Sequence, residues 1–211
     1  MTAAGRGAEP AVRLRDVTLD DADLVDAWNA DPASSGEFND FGGTPKPIDR
    51  EALARGPLRN ERNGQLIIER VADGTPIGHV SWHAVGYGPN PKSSAWNVGI
   101  ALVPEARGKG HGTEAQAILA AYLFENTDVN RIEAQTDVDN IAEQRSLEKA
   151  GFVREGTARG AQFRVVADRP LHEPGDGRTF ELRQMLAGEE GDKVRGGVDG
   201  SAVDTIHSTQ P

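Results

Sequence analysis

Apolar positions alternate along Ala95–Val103, where Trp96, Val98, Ile100 and Leu102 share one face as period-2 geometry requires. Pro104 ends that strand, because it has no amide to continue a ladder. Downstream the period changes. Ala115, Ile118, Leu119, Tyr122 and Leu123 recur at helical spacing and bury one helix face. Residues 130–136 read as another strand. Asn140 then opens a second helix, which stops at Gly151. Earlier in the chain, residues 12–15 predict a first strand and Thr18–Asp31 a helix with Asp20 and Asp21 at its positive end. Residues 32–47, rich in glycine and proline, predict an irregular loop. A short helix over 48–54, a strand over 65–71, a turn at Asp73-Gly74 and a strand over 76–85 follow. Residues 152–157 and about 180–185 supply the last strands.

Composition narrows the class. The chain has 211 residues, enough for one domain with a sizeable core. Its net charge of −10 disfavours nucleic-acid and anionic-membrane binding. With no cysteine, disulfides and thiolate chemistry are excluded. No apolar run reaches membrane-spanning length, and residues 1–10 have no signal-peptide core; a cytoplasmic protein is expected. The division expected is a flexible arm over 1–10, a folded domain over 11–187 and a disordered tail over 188–211.

Candidate chemistry concentrates between the strand and the helix, in Arg107-Gly108-Lys109-Gly110-His111-Gly112-Thr113. Alternating glycines bare the backbone, and the free amides at the start of the following helix, with its dipole, suit phosphate oxygens. Arg107 and Lys109 add positive charge. The spacing is not that of a P-loop, since Val103 stands where its first glycine belongs. Nor is it the dinucleotide fingerprint, which opens a first strand–helix unit. A flexible surface loop is the alternative.

The stretch from Val98 to Ala115, with Arg107, Gly110 and Gly112 matching Gln/Arg-x-x-Gly-x-Gly/Ala, resembles the acyl-CoA-binding core of the GNAT N-acyltransferase superfamily. Asn140 and Glu148-Lys149-Ala150-Gly151-Phe152 resemble the end of that core. The pattern is most similar to the branch of ribosomal-protein N-terminal acetyltransferases. The resemblance implies an α+β GNAT fold: a mixed, mostly antiparallel central sheet of about six to seven strands, helices on both faces, and a V-shaped opening between the two central strands. It implies acetyl-CoA as acyl-donor substrate, no metal, a primary amine as acceptor (a protein N-terminus, an amino acid or a small amino metabolite) and direct attack in a ternary complex. The pyrophosphate falls to the amides of Gly108, Lys109, Gly110, His111, Gly112 and Thr113, with Arg107 and Lys109 assisting. The pantetheine arm pairs with the strand at Ile100, Ala101, Leu102 and Val103, whose amides face the developing oxyanion. Asn140 hydrogen-bonds that arm. Many relatives are dimers, so a homodimer is among the expected states.

The acid and base are less defined. His79, Ser81 and His83 share the strand face opposite Val80 and Trp82. His83 is the candidate base, against the reading of a polar face on a half-exposed strand. Where relatives carry a serine three residues after Asn140, this chain has Glu143, read either as a proton donor or as the partner of Asn140 in a capping box. By resemblance, the loop Ser35–Phe41 forms the acceptor wall, with Glu37 and Asp40 drawing an ammonium group and Phe38 beside them; Trp82 lines that pocket or belongs to the core. His172 and the polar, turn-rich segment Arg164–Gly177 depart from the relatives' aromatic hairpin. Two other functions fit: a longer acyl-CoA or carrier-protein thioester as donor, and a non-catalytic CoA-binding sensor or scaffold.

Overall fold

The structure, a computed structural model, describes residues 9–39, 44, 46–158 and, as a strand, 179–185. The expectations for the N-terminal arm before residue 9, Asp40, Phe41, the segment 164–177 with His172, and the tail lie outside the described residues.

Seven strands form one sheet: β1 Val12–Asp16, β2 Asn63–Arg70, β3 Pro76–Gly86, β4 Ser94–Leu102, β5 Arg131–Asp137, β6 Val153–Ala158 and β7 Thr179–Met185. Their spatial order is β1-β2-β3-β4-β5-β7-β6. Every neighbouring pair is antiparallel except β4 and β5. Among the described residues, five α-helices complete it: α1 Ala22–Ala30, α2 Pro32–Ser35, α3 Arg50–Arg55, α4 His111–Asn126 and α5 Ile141–Lys149. The helix expected from Thr18 begins as a short 3-10 turn, Leu19–Asp21. The loop expected over 32–47 opens with the single turn of α2. There the Asp31 carboxylate accepts from the amides of Ala33 and Ser34, with proline at the first helical position.

Strand alternation sorts the core into two faces. Leu14, Leu66, Ile68, Val80, Val98 and Ile132 pack beneath α4 and α5, against Ile118, Leu119, Leu123 and Leu147. Ile67, on the opposite face, packs with Val17, Ala22, Val25 and Leu53 beneath α1 and α3. Trp82 points to the first face, 4% exposed and edge-on to Tyr122 at 6.2 Å. It is therefore core, and its place in the acceptor pocket is corrected. Trp96 is core as well, its indole N–H bonded to Thr127 Oγ1 at 3.0 Å. On the α1 side, Arg15 forks onto Asp21 at 2.7 and 2.8 Å and reaches Glu69 at 2.5 Å. Burial acts to raise the Asp21 carboxyl, but bonds from Arg15 and Thr18 outweigh it and hold the group at about 2.

Candidate acyl-donor and acceptor clefts

β4 and β5 pair only at Trp96, Asn97 and Val98 with Ile132, Glu133 and Ala134. Beyond Val98 the two strands part, which is the expected V-shaped opening. The amide of Val103 donates to Ile77 O at 3.0 Å across β3. Peptide groups alternate along a strand, so those of Ile100 and Leu102 face the split.

A cleft of about 690 Å³ fills it, lined by Ile100, Ala101, Leu102, Gly108, Gly110, Gly112, Thr113, Asn140 and Glu143 among others. Gly108 and Gly110 have φ of 72° and 85°, a left-handed backbone that bends the chain between Arg107 and α4. Among the described residues, no hydrogen bond occupies the amides from Gly108 to Thr113; the first amide of α4 with a helical acceptor is Glu114, on Gly110 O at 3.1 Å. These unpaired donors sit at the positive end of a 16-residue helix. At Gly112 an added Cβ would lie 3.4 Å from Leu102 Cδ1 and 3.6 Å from Ile100 Cδ1, ordinary contact distances, so the start of α4 packs directly on the end of β4.

The side chains of the loop depart from expectation. The Arg107 guanidinium is committed to backbone carbonyls: Leu102 O at 2.9 Å, Ala33 O at 2.9 Å and Ser34 O at 2.7 Å. His111 turns inward, buried, with Nδ1 at 3.2 Å from Ala106 O, and its side chain does not line the cleft. Lys109 is exposed.

Asn140 caps α5, its Oδ1 accepting from the Glu143 amide at 3.2 Å. The capping box closes on one side only. The Glu143 carboxylate does not return to the Asn140 amide, which donates instead to Asp137 O. It accepts from the side-chain amide of Gln116. Gln116 Oε1 accepts from Ser146 Oγ at 2.9 Å, and Ser146 Oγ lies 3.0 Å from Thr113 Oγ1. Burial pushes the Glu143 carboxyl up, opposed by the Gln116 bond. Sequence reasoning passed over Gln116 and Ser146. The one available signal was a polar residue at helical spacing inside an apolar stripe, beside Ala115 and Ile118.

A second cleft of about 270 Å³ adjoins the first on the α1 side of the sheet. Trp28, Ser34, Ser35, Asn39, His79 and Ser81 line it with the backbone of β4. His79 stacks on Trp28 with ring centroids 6.5 Å apart. Its Nδ1 is buried without a partner among the described residues, and burial lowers its pKa to about 4, so the ring is neutral. His83, the candidate base, is exposed, registers with Asn63 and Asn97, and lines neither cleft. It is too far along β3: the split opens beside Ser81 and His79, which pair with Gly99 and Ala101. Glu37 and Phe38 line the larger cleft.

The sequence model of the family described as "Acetyltransferase (GNAT) domain" matches residues 11–153. A probable N-acetyltransferase, YjcK of Bacillus subtilis (strain 168), is 42% identical over 62 residues, covering 29% of this chain and 34% of that protein. That match spans about a third of the curated relative's length. Among solved structures, spermidine N-acetyltransferase from Vibrio cholerae, in complex with CoA and spermine, superposes with a TM-score of 0.63 at 18% identity, covering 83% of this chain and 95% of the other. RimJ of Mycobacterium smegmatis, in complex with CoA-disulfide, gives a TM-score of 0.62 at 20% identity, covering 82% and 81%. At these identities the likeness to the solved structures is one of fold. No described helix is long and apolar enough to cross a membrane. Among the described residues, no group of three or more His, Cys, Asp or Glu is arranged to hold a metal ion.

Proposed function

The chain belongs to the GNAT acetyltransferase family, and from that premise we propose that it moves an acetyl group from acetyl-CoA to a primary amine. One observation carries the reading: the unpaired amides of Gly108–Thr113 stand at the start of α4, directly beside the strand edge that β5 abandons after Val98. The amides take the pyrophosphate. The peptide groups of Ile100 and Leu102 take the pantetheine arm and turn a donor toward the thioester oxygen as it becomes an oxyanion. Asn140 lies across the cleft from them.

The acceptor enters from the Trp28–His79 side. Its ammonium first releases a proton to bulk water; the neutral nitrogen then bonds to the acyl carbon and gives up a second proton to water, while the C–S bond breaks and the thiolate gains one. Glu143, whose burial favours the protonated carboxyl, is the donor to that sulfur. The described lining of the acceptor cleft carries no ionised group, so hydroxyls, amides and the Trp28 ring recognise the acceptor there, while Glu37 attracts its ammonium from the adjoining wall. A protein N-terminus, an amino acid or a small polyamine meets this chemistry. The motif from Val98 to Ala115 is what supports a place beside the ribosomal-protein N-terminal acetyltransferases; the fold is shared alike with RimJ and with spermidine N-acetyltransferase.

The test is titration of acetyl-CoA into the protein, followed by intact-mass detection of products 42 Da heavier (the mass of one acetyl group replacing hydrogen, about the same for any amine) from amine and peptide libraries. Failure to bind acetyl-CoA refutes the assignment. Binding without release of thiol in any library supports a sensor instead.

A further inference from the structure

The Arg107 side chain makes three hydrogen bonds, all to backbone carbonyls and from two separate parts of the chain. Leu102 O belongs to the edge of β4 that faces the split. Ala33 O and Ser34 O lie near the end of α2, a single helical turn whose last carbonyls have no partner further along the helix. A cation at a helix C-terminus satisfies both the orphan carbonyls and the negative end of the dipole. Gly36 follows immediately; a Cβ there would lie 3.6 Å from Arg107 Nη1, so the guanidinium rests against the turn's backbone. Ser34, Ser35 and Asn39 of this segment line both clefts. Whatever fixes the turn therefore fixes the boundary between donor and acceptor.

We propose that Arg107 is a positioning residue that straps the acceptor-side turn to the donor strand, and that it is not a ligand of the donor's phosphates. Only the identity of the donor rests on the function proposed above. The guanidinium presents Nε and Nη2 in a rigid fork, one donor to each element, an arrangement that the flexible point charge of a lysine does not hold. Phosphate binding then falls to the amides of the loop, and the arginine acts on the amine side.

Hydrogen–deuterium exchange of the full chain without ligand tests the strap. In Arg107→Gln and Arg107→Lys, exchange across residues 33–39 is expected to rise about tenfold, the factor for one or two net hydrogen bonds lost, with exchange of α4 unchanged. Unchanged exchange at 33–39 in both variants overturns the strap. Titration with acetyl-CoA and with S-acetylpantetheine, which lacks phosphate, tests the second half. The variants are expected to shift both dissociation constants by the same small factor. A tenfold loss confined to acetyl-CoA overturns the proposal. Wild-type protein that binds neither thioester removes the proposed function, while the exchange result still decides the strap.

Discussion

Gln116 gives its side-chain amide to the Glu143 carboxylate, so the polar chain Thr113–Ser146–Gln116–Glu143 runs across the seam between α4 and α5. The Ser146 hydroxyl fills Gln116 Oε1, which leaves the amide N–H as the group that faces Glu143. Burial raises the Glu143 carboxyl above its ordinary value, so as pH rises through the ordinary carboxylate range the folded protein gives up this proton later than the unfolded chain does. The linked stability is present at pH below the ordinary carboxylate range, about 4.3, and is lost as pH rises from there. Glu143→Gln is expected to raise the melting temperature at pH 7.5 by a few degrees and to leave it unchanged near pH 4. If Glu143 protonates the thiolate, the same variant also lowers kcat by about 10²-fold or more, the range for general acid–base catalysis. Melting curves at the two pH values and thiol-release kinetics check both parts.

Gly110→Val forces a β-branched residue to φ 85°. The left-handed conformation costs roughly 1–2 kcal/mol for an ordinary residue. The loop is expected to rearrange, and acetyl-CoA affinity to fall at least about tenfold, a change of about 1.4 kcal/mol. Gly86→Ala, at a site where an added Cβ meets nothing within 4 Å, serves as the control. Calorimetry reads both.

His79 is neutral in the folded protein, with a pKa of about 4 against about 6.5 in the unfolded chain. Its contribution to stability is therefore complete above pH 6.5 or so and is lost as pH falls toward 4. His79→Phe keeps the ring against Trp28 and removes the titration. Melting temperature against pH is expected to be flatter between these limits in the variant than in the wild type.

Asp21→Asn removes the charge on which Arg15 forks and which also accepts from the Thr18 amide and hydroxyl. Hydrogen bonds to charged groups contribute about 1.5–3 kcal/mol, and the variant is expected to lose about that much stability at neutral pH. Below about pH 2 the wild-type carboxyl is itself protonated and the difference closes. Urea unfolding at pH 7 and pH 2 measures it.

Most elements between residues 94 and 152 were legible because alternation, helical spacing and punctuation agree there. Pro104 ends β4, Asn140 caps α5, and Gly151, at φ 94°, closes it. α2 was hidden because its cap, Asp31 before Pro32, opens a glycine- and proline-rich run that reads as irregular. Period 2 placed His79, Ser81, His83 and Trp82 on the correct faces of β3. It carried no information on which face meets α4, or on where β5 parts from β4. Those two facts put Trp82 in the core and His83 beyond the clefts.

The sequence by itself determined what depends on near neighbours: the strand, the glycine loop, the helix start, and the bare amides between them. Backbone preference and hydrogen-bond valence act over a few residues and leave their mark in local order. The tertiary structure decided what each side chain does with its charge. Arg107 meets Ser34 across 73 residues and Glu143 meets Gln116 across 27. Such partners are chosen by how the sheet splits and the helices cross it, and no local pattern in the chain encodes that distance.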